Sequence, residues 1–292
     1  METKLSLPSP AKLNLFLHIN GRLPNGYHEL QSLFHFIDYG DRLDFETIDT
    51  ATVSLTCNLP ELETEDNLIT RAAKALQPYL NKDFPTPGVK IHLHKVLPMG
   101  GGVGGGSSNA ATTLLALNKL WSLNLPLSKL ESIGNTLGAD VPIFVRGRSS
   151  VADGTGEQMR DYQVADNWYL VLTPNAHVNT AKLFNAPDLT RDTAKIPYDD
   201  IKYDGISERH KNDFEPLVTK NYPDVAKSLD WLLEYAPSRM TGTGACVFAE
   251  FSDEAQAQTV LKNLPNDMSG FIAKGCNVSP THKVLFGNEM EK

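Results

Sequence analysis

Four groups of residues in this chain are of types that could do chemistry. They are the pair Lys12 and Asn14, the run of glycines at 100–106, the aspartate Asp140 beyond Gly138, and the pair Tyr27 and His28. Lys12 and Asn14 share one face of an alternating stretch, with Phe16 and His18, while Leu13, Leu15, Leu17 and Ile19 share the other. That pattern predicts a strand over 9–19, and its polar pair is either a small functional cluster or a solvated outer face. Asp140 stands after a helix pattern over 129–137, with Ser128 as its cap and Gly138 at its end, and before the apolar run Val141–Val145, which reads as a strand. An aspartate at a helix C-terminus faces the wrong end of the dipole. It has either a chemical role or the ordinary one of bonding its own backbone in a turn. Tyr27 and His28 leave an Asn25-Gly26 turn and read as a loop packing pair or a binding pair.

The glycine run organises its surroundings. Six of the seven residues from Gly100 to Gly106 are glycine, with Val103 the exception. Such a run costs backbone entropy, so a fold keeps it where side chains would block a close approach. An alternating strand pattern, 89–95, precedes it, ending at Lys95. Ser107, Ser108 and Asn109, all good N-cap types, follow it, and Ala110, Leu114, Leu117 and Trp121 then form one helical stripe. Strand, glycine loop and helix N-terminus make an anion site, because free N–H groups and the positive dipole end converge there. Phosphate is the natural guest. The loop is not a Walker A motif, since Ser107-Ser108 stands where that motif needs Lys followed by Ser or Thr. A flexible glycine hinge is the other reading, and the helix that follows at once disfavours it.

The remaining elements alternate. A hairpin is predicted from 30–37 and 42–46 around Tyr39-Gly40-Asp41, then a strand over 51–57 and a helix from about 65 to 80 capped by Asp66 or Asn67. Ala152–Glu157 is a turn, and a second unit begins with the apolar strand at Trp168–Leu172. Residues 186–211 read as irregular surface. Helices over 213–220 and 222–235, the glycine turn Thr241–Gly244 feeding a strand, a helix over 253–264 capped by Ser252, and a last strand at 271–273 complete an α+β pattern. The expected division is 1–163 and 164–292.

Composition is that of a globular protein, with 41% hydrophobic and 21% charged residues. A net charge of −8 disfavours a nucleic-acid surface. Three scattered cysteines form no disulfide framework or metal spacing and fit a reducing cytosol. No signal, transit or membrane-spanning pattern is read, so a cytoplasmic location is expected. His92 and His94 share a polar strand face and could bind a metal, but a solvated face is the simpler reading.

Five segments together resemble one family. They are Pro10–Leu15, Gly26–His28, Pro98–Ala110, Leu137–Pro142 and Thr241–Ala245, in order along most of the chain. They look like the 4-diphosphocytidyl-2-C-methyl-D-erythritol kinases, within the superfamily of galactokinase, homoserine, mevalonate and phosphomevalonate kinases. Val103 departs from the usual leucine, a change of volume and not of chemistry. The resemblance implies an N-terminal domain like ribosomal protein S5 domain 2 and a ferredoxin-like C-terminal domain, with the site between them. It implies transfer of the γ-phosphoryl of ATP, with Mg²⁺ as co-substrate and no tightly bound cofactor, to the substrate's 2-hydroxyl. It carries catalysis onto Lys12 and Asp140, and ATP binding onto Pro98, Met99, Gly100, Gly101, Gly102, Val103, Gly104, Gly105, Gly106, Ser107 and Ser108, with Asn67 and Lys95 on the adenine side. It carries substrate binding onto Asn14, Tyr27, His28, Thr180 and Phe184. Neither a nucleic-acid nor a membrane partner is expected. The metal ligand and the oligomeric state are not specified. Another kinase of the superfamily and a non-enzymatic RNA-binding protein are the competing readings.

Overall fold

The computed structural model describes residues 3–81 and 87–287. Ten strands are described: β1 (Lys4–Arg22), β2 (His28–Ile48), β3 (Val53–Cys57), β4 (Gly88–His94), β5 (Ser150–Asp153), β6 (Gln158–Asp161), β7 (Trp168–Leu172), β8 (Ser238–Met240), β9 (Val247–Phe251) and β10 (Gly270–Cys276). The helices are α1 (Leu68–Leu76), α2 (Gly105–Leu120), α3 (Leu127–Leu137), α4 (Val141–Arg146), α5 (Thr180–Phe184), α6 (Glu215–Asn221), α7 (Pro223–Leu233), α8 (Glu254–Leu261) and α9 (Pro280–Phe286). The fold is α+β. Among the named strands only β3 and β4 pair in parallel.

Two long strands set the frame. β1 and β2 pair antiparallel from Lys4↔Glu46 to Arg22↔His28, and β2 also holds β4, β5 and β10. The predicted hairpin at residues 30–46 is instead this one continuous strand. Gly40 lies under the crossing of β1, where a Cβ would stand 2.2 Å from the Ser9 carbonyl oxygen. The glycine there serves a close approach and not a turn. The next register shift, between Pro10 and Lys12, is a bulge that re-aims the strand at Lys12.

Three buried clusters fill the spaces. One lies under α1, α2 and α3 and includes Leu114, Leu117 and Phe36. A second lies around α6 and α7 and includes Phe214, Leu229 and Leu232. A third joins β1 to β7 and β9 through Phe16, Tyr169 and Phe248.

Three local expectations fail for identifiable reasons. The Val141–Val145 run is the helix α4 and not a strand; Pro142 occupies its first turn, where proline is tolerated, and all five residues are buried. Helix α8 is capped by Asp253, whose carboxylate accepts the Gln256 N–H, and not by Ser252. Helix α3 begins after Pro126 without a side-chain cap, so Ser128 lies inside it. A further helix, α9, follows β10 and was not predicted. It returns to the start of the chain: Thr281 donates to the Pro8 carbonyl over 273 residues of separation, and His282 Nε2 bonds the Val145 carbonyl.

Candidate active site

The glycine turn opens α2 as foreseen, but the serines do not cap it. The N-cap is Gly104, at φ 75°, and the helix begins at Gly105. The first intrahelical bond runs from the Ser108 N–H to the Gly104 carbonyl, which leaves the amides of Gly105, Gly106 and Ser107 without helical partners. These three residues line a cavity of about 640 Å³. Residues 98–102, 104–107, Lys12, Asn14, Asn67, Lys95, Asp140, Thr180 and Phe184 all line it, as does the second glycine turn at 242–244.

Why the glycines are glycine is now more specific. At Gly102, with φ 76°, a Cβ would meet the Thr241 carbonyl at 2.3 Å. At Gly101 it would meet Cys246 Sγ at 2.7 Å, and at Gly104 the Phe144 ring at 2.7 Å. These positions are closed by the protein's own backbone and core, so clearance for a ligand is not their first requirement. Gly102→Ala is therefore expected to cost roughly 2–5 kcal/mol, from left-handed strain and overpacking together, and to raise KM for ATP. Gly106→Ala is the control: its Cβ would find only Leu68 Cδ1 at 3.7 Å, and thermal unfolding should shift little. Equal melting temperatures for the two variants would remove the packing argument.

Lys12 sits at the floor of the same mouth. Its backbone N–H donates to the Val103 carbonyl at 3.0 Å, fastening β1 to the loop. Its ammonium donates to the Gly102 carbonyl at 3.0 Å and to Asn14 Oδ1, and lies 3.4 Å from Asp140 Oδ2. Asn14 donates in turn to the Ser32 hydroxyl at 2.8 Å, and Ser32 to the Phe16 carbonyl at 2.6 Å. The chain of bonds orients the Asn14 amide, and the oriented amide steadies Lys12. Ser32 is a member that sequence reading missed, since a serine on a strand carries no motif.

Asp140 is the N-cap residue of α4 and not a helix-end misfit, yet its side chain makes no capping bond. The carboxylate is thus not used up by local backbone. Its side chain is 39% exposed while that of Lys12 is 3% exposed, so the pair presents its carboxylate to the cavity and keeps its ammonium in the wall. The second lysine differs. Lys95 Nζ bonds Asp41 Oδ2 and the Leu97 carbonyl, both at 2.8 Å, and side-chain exposure is 6% and 0% for the two partners. Asp41 also accepts the Val96 and Leu97 N–H groups at 2.8 Å. Breaking such a pair costs about 3–5 kcal/mol, which marks Lys95 as an anchor beneath α2. Asn67 likewise spends its amide as the cap of α1, accepting from Ile69 and donating to Leu62.

The other predicted residues divide. Ser108 is fully buried and bonds Ser9 at 2.8 Å, away from the cavity. Val103 is a core residue. Ser107 and Met99 remain on the cavity wall. His28 lies 5.0 Å from Phe184, ring to ring, and Phe184 sits edge-on to Phe214 at 4.9 Å. Neither Tyr27 nor His28 lines the cavity itself, and Tyr27 is 66% exposed on its turn. Burial, with Arg191 and Arg22 nearby, holds the His28 imidazole below its usual range. Thr180 shares a hydroxyl bond with Thr243 at 2.9 Å, joining α5 to the second glycine turn. That turn is held by Asn212, whose amide donates to the Met240 and Gly242 carbonyls, both at 2.8 Å. No group of three metal-ligating side chains is present among the described residues. His94 bonds Asp44 and His92 bonds Thr56 on the outer face of the sheet.

Residues 67–148 match the family described as GHMP kinases N terminal domain, and residues 202–270 match GHMP kinases C terminal. The chain is 54% identical over 280 residues to the 4-diphosphocytidyl-2-C-methyl-D-erythritol kinase of Mannheimia succiniciproducens, covering 96% of this chain and 90% of that one. It is 51% identical over 286 residues to the enzyme of the same name from Marinobacter nauticus, with 98% and 99% covered. A crystal structure of a 4-(cytidine 5'-diphospho)-2C-methyl-D-erythritol kinase superposes with a TM-score of 0.79 at 27% identity, over 93% of this chain and 99% of that one. The Methanococcus jannaschii mevalonate kinase shares the fold, with a TM-score of 0.67 at 17% identity over 95% and 99% of the two chains.

Proposed function

The chain belongs to the GHMP kinases, in the family of 4-diphosphocytidyl-2-C-methyl-D-erythritol kinases, and from that premise we propose how its residues divide the work. It is an ATP-dependent small-molecule kinase. It moves the γ-phosphoryl of ATP to the 2-hydroxyl of 4-diphosphocytidyl-2-C-methyl-D-erythritol and releases ADP. Phosphoryl transfer asks for positioning and charge stabilisation more than for covalent chemistry. The unpaired amides at Gly105–Ser107, at the positive end of α2, take the triphosphate. Asp140 takes or orients the proton of the acceptor hydroxyl, and the Lys12 ammonium offsets charge on the moving phosphoryl. Their 3.4 Å separation at the cavity mouth, beside the start of α2, is the observation that carries the reading. Mg²⁺ enters with ATP as part of the substrate. The Ser107 hydroxyl and the Asp140 carboxylate are oxygen donors of the kind a hard cation takes.

The acceptor's base lies against Phe184 with His28 at its edge, and Tyr27 closes over it from the exposed turn. The His28–Phe184 contact supports this. Asn14 and Thr180 bond the polar part of the acceptor. Tyr27→Ala is expected to raise KM for the cytidyl substrate about ten- to hundredfold, the value of one stacking contact, with KM for ATP unchanged. A parallel rise in both would dissolve the pocket. We also propose that residues 1–163 and 164–292 form two domains flanking the cavity, and that the enzyme works in the cytosol, where its free thiols persist. The deciding assay follows ADP release with the cytidyl substrate, mevalonate and homoserine. Turnover confined to the first is expected, and equal turnover of mevalonate would overturn the substrate assignment.

A further inference from the structure

His28 has two ring nitrogens, and only one can carry the proton while the ring is neutral. The structure decides which. Arg191 Nε donates to His28 Nε2 at 3.1 Å, so Nε2 must be the acceptor. The proton then resides on Nδ1, and the ring's hydrogen bond among the described residues is the one through Nε2. Arg191 is itself held rigidly. Its guanidinium also donates to the carbonyls of Leu189 at 3.0 Å, Phe184 at 2.9 Å and Ala186 at 2.6 Å. One side chain therefore ties the histidine to the end of α5, which carries the aromatic ring lying 5.0 Å from it.

We propose that Arg191 is a positioning residue that sets base selectivity by locking His28 as an Nδ1–H donor beside Phe184. This rests on the reading of His28 and Phe184 as the base pocket. A ring fixed as a donor matches a base whose ring nitrogen N3 is an acceptor, as in cytosine, and opposes one whose N3 carries a hydrogen, as in uracil. Discrimination of this kind is steep, because the wrong base leaves two donors facing each other in a desolvated site. The charged groups around the ring are Arg191 and, on the paired end of β1, Arg22. Both oppose a second proton, and burial does the same, so the ring remains a single donor.

Two measurements on the full-length protein test this. Nitrogen-15 NMR of the free enzyme should show His28 with a protonated Nδ1 and a bare Nε2. Arg191→Ala should give a mixture of the two tautomers. A protonated Nε2 in the unsubstituted protein, or an unchanged tautomer in the variant, would overturn the proposal, and the first result needs no variant to fold. The second measurement compares kcat/KM for the cytidyl substrate and its uridyl counterpart. The unsubstituted enzyme should prefer the cytidyl form strongly. Arg191→Ala should shrink that preference about tenfold, through KM for the cytidyl substrate, with KM for ATP unchanged. An unaltered preference in the variant would sink the role given to Arg191. A complete lack of preference in the unsubstituted enzyme would instead refute the base-pocket reading beneath it.

Discussion

Asp140→Asn is expected to lower kcat by about 10²- to 10⁴-fold, the range for losing a positioned proton acceptor, with both KM values and the melting temperature nearly unchanged. The separation of these effects follows from the local structure. Asp140 caps α4 by position only, and its carboxylate bonds no backbone amide there, so stability does not depend on it. Among the described residues its charged contact is Lys12, at 3.4 Å, and its own side chain is 39% exposed. The Asp140 end of the pair is open to solvent, and Lys12 keeps the Gly102 carbonyl and Asn14 as partners when that end changes, so the loss to folding is small. Asparagine keeps the shape and can still bond Lys12 through its carbonyl, so the loss falls on proton handling. Stopped-assay turnover with the cytidyl substrate checks it, and near-normal kcat would remove Asp140 from the mechanism.

Lys12→Met should behave differently, because the same pair is asymmetric. A loss of about 10²- to 10³-fold in kcat is expected, from the missing charge beside the transferring group. A stability loss of about 1–3 kcal/mol should accompany it. Lys12 is only 2% exposed and serves the Gly102 carbonyl and the Asn14 amide oxygen as well as Asp140. Methionine fills the volume but leaves those acceptors unpaired inside the wall. Denaturant unfolding and steady-state kinetics on one preparation separate the two effects. A variant as stable as the parent would show that the ammonium is not the keystone of β1 and the loop.

Much of this was legible in the chain, and the exceptions are instructive. The strand, glycine loop and helix unit is visible because its signals are local: alternation, then glycine, then a 3.6-residue stripe. The strand face shared by Lys12 and Asn14 is visible for the same reason. Their meeting with Asp140 is not, since it depends on α4, whose five apolar residues fit a strand as well as a buried helix. Pro142 was the available signal, as prolines open helices more readily than they enter strands. The caps misled where glycine competes with serine. Three good capping residues follow the loop, but Gly104 at positive φ starts the helix earlier. Ser32, Asp41, Asn212 and Arg191 carry no pattern at all. Each acts through a partner between 18 and 163 residues away, or by holding a neighbouring turn, and such roles exist only once the chain has folded.

The return of α9 to Pro8 also says something about order in time. Among the first strand's partners is a segment made 273 residues after it. As the chain leaves the ribosome, β1 can pair with β2 early, because only a short turn separates them. The Pro8 and Val145 carbonyls must wait for Thr281 and His282. Closing that loop late is not costly in entropy, since the cost grows only with the logarithm of length. What the delay imposes is a period in which the half of the protein bearing Lys12 and Asp140 is assembled but not latched. The kinase site is complete in sequence long before it is complete in structure.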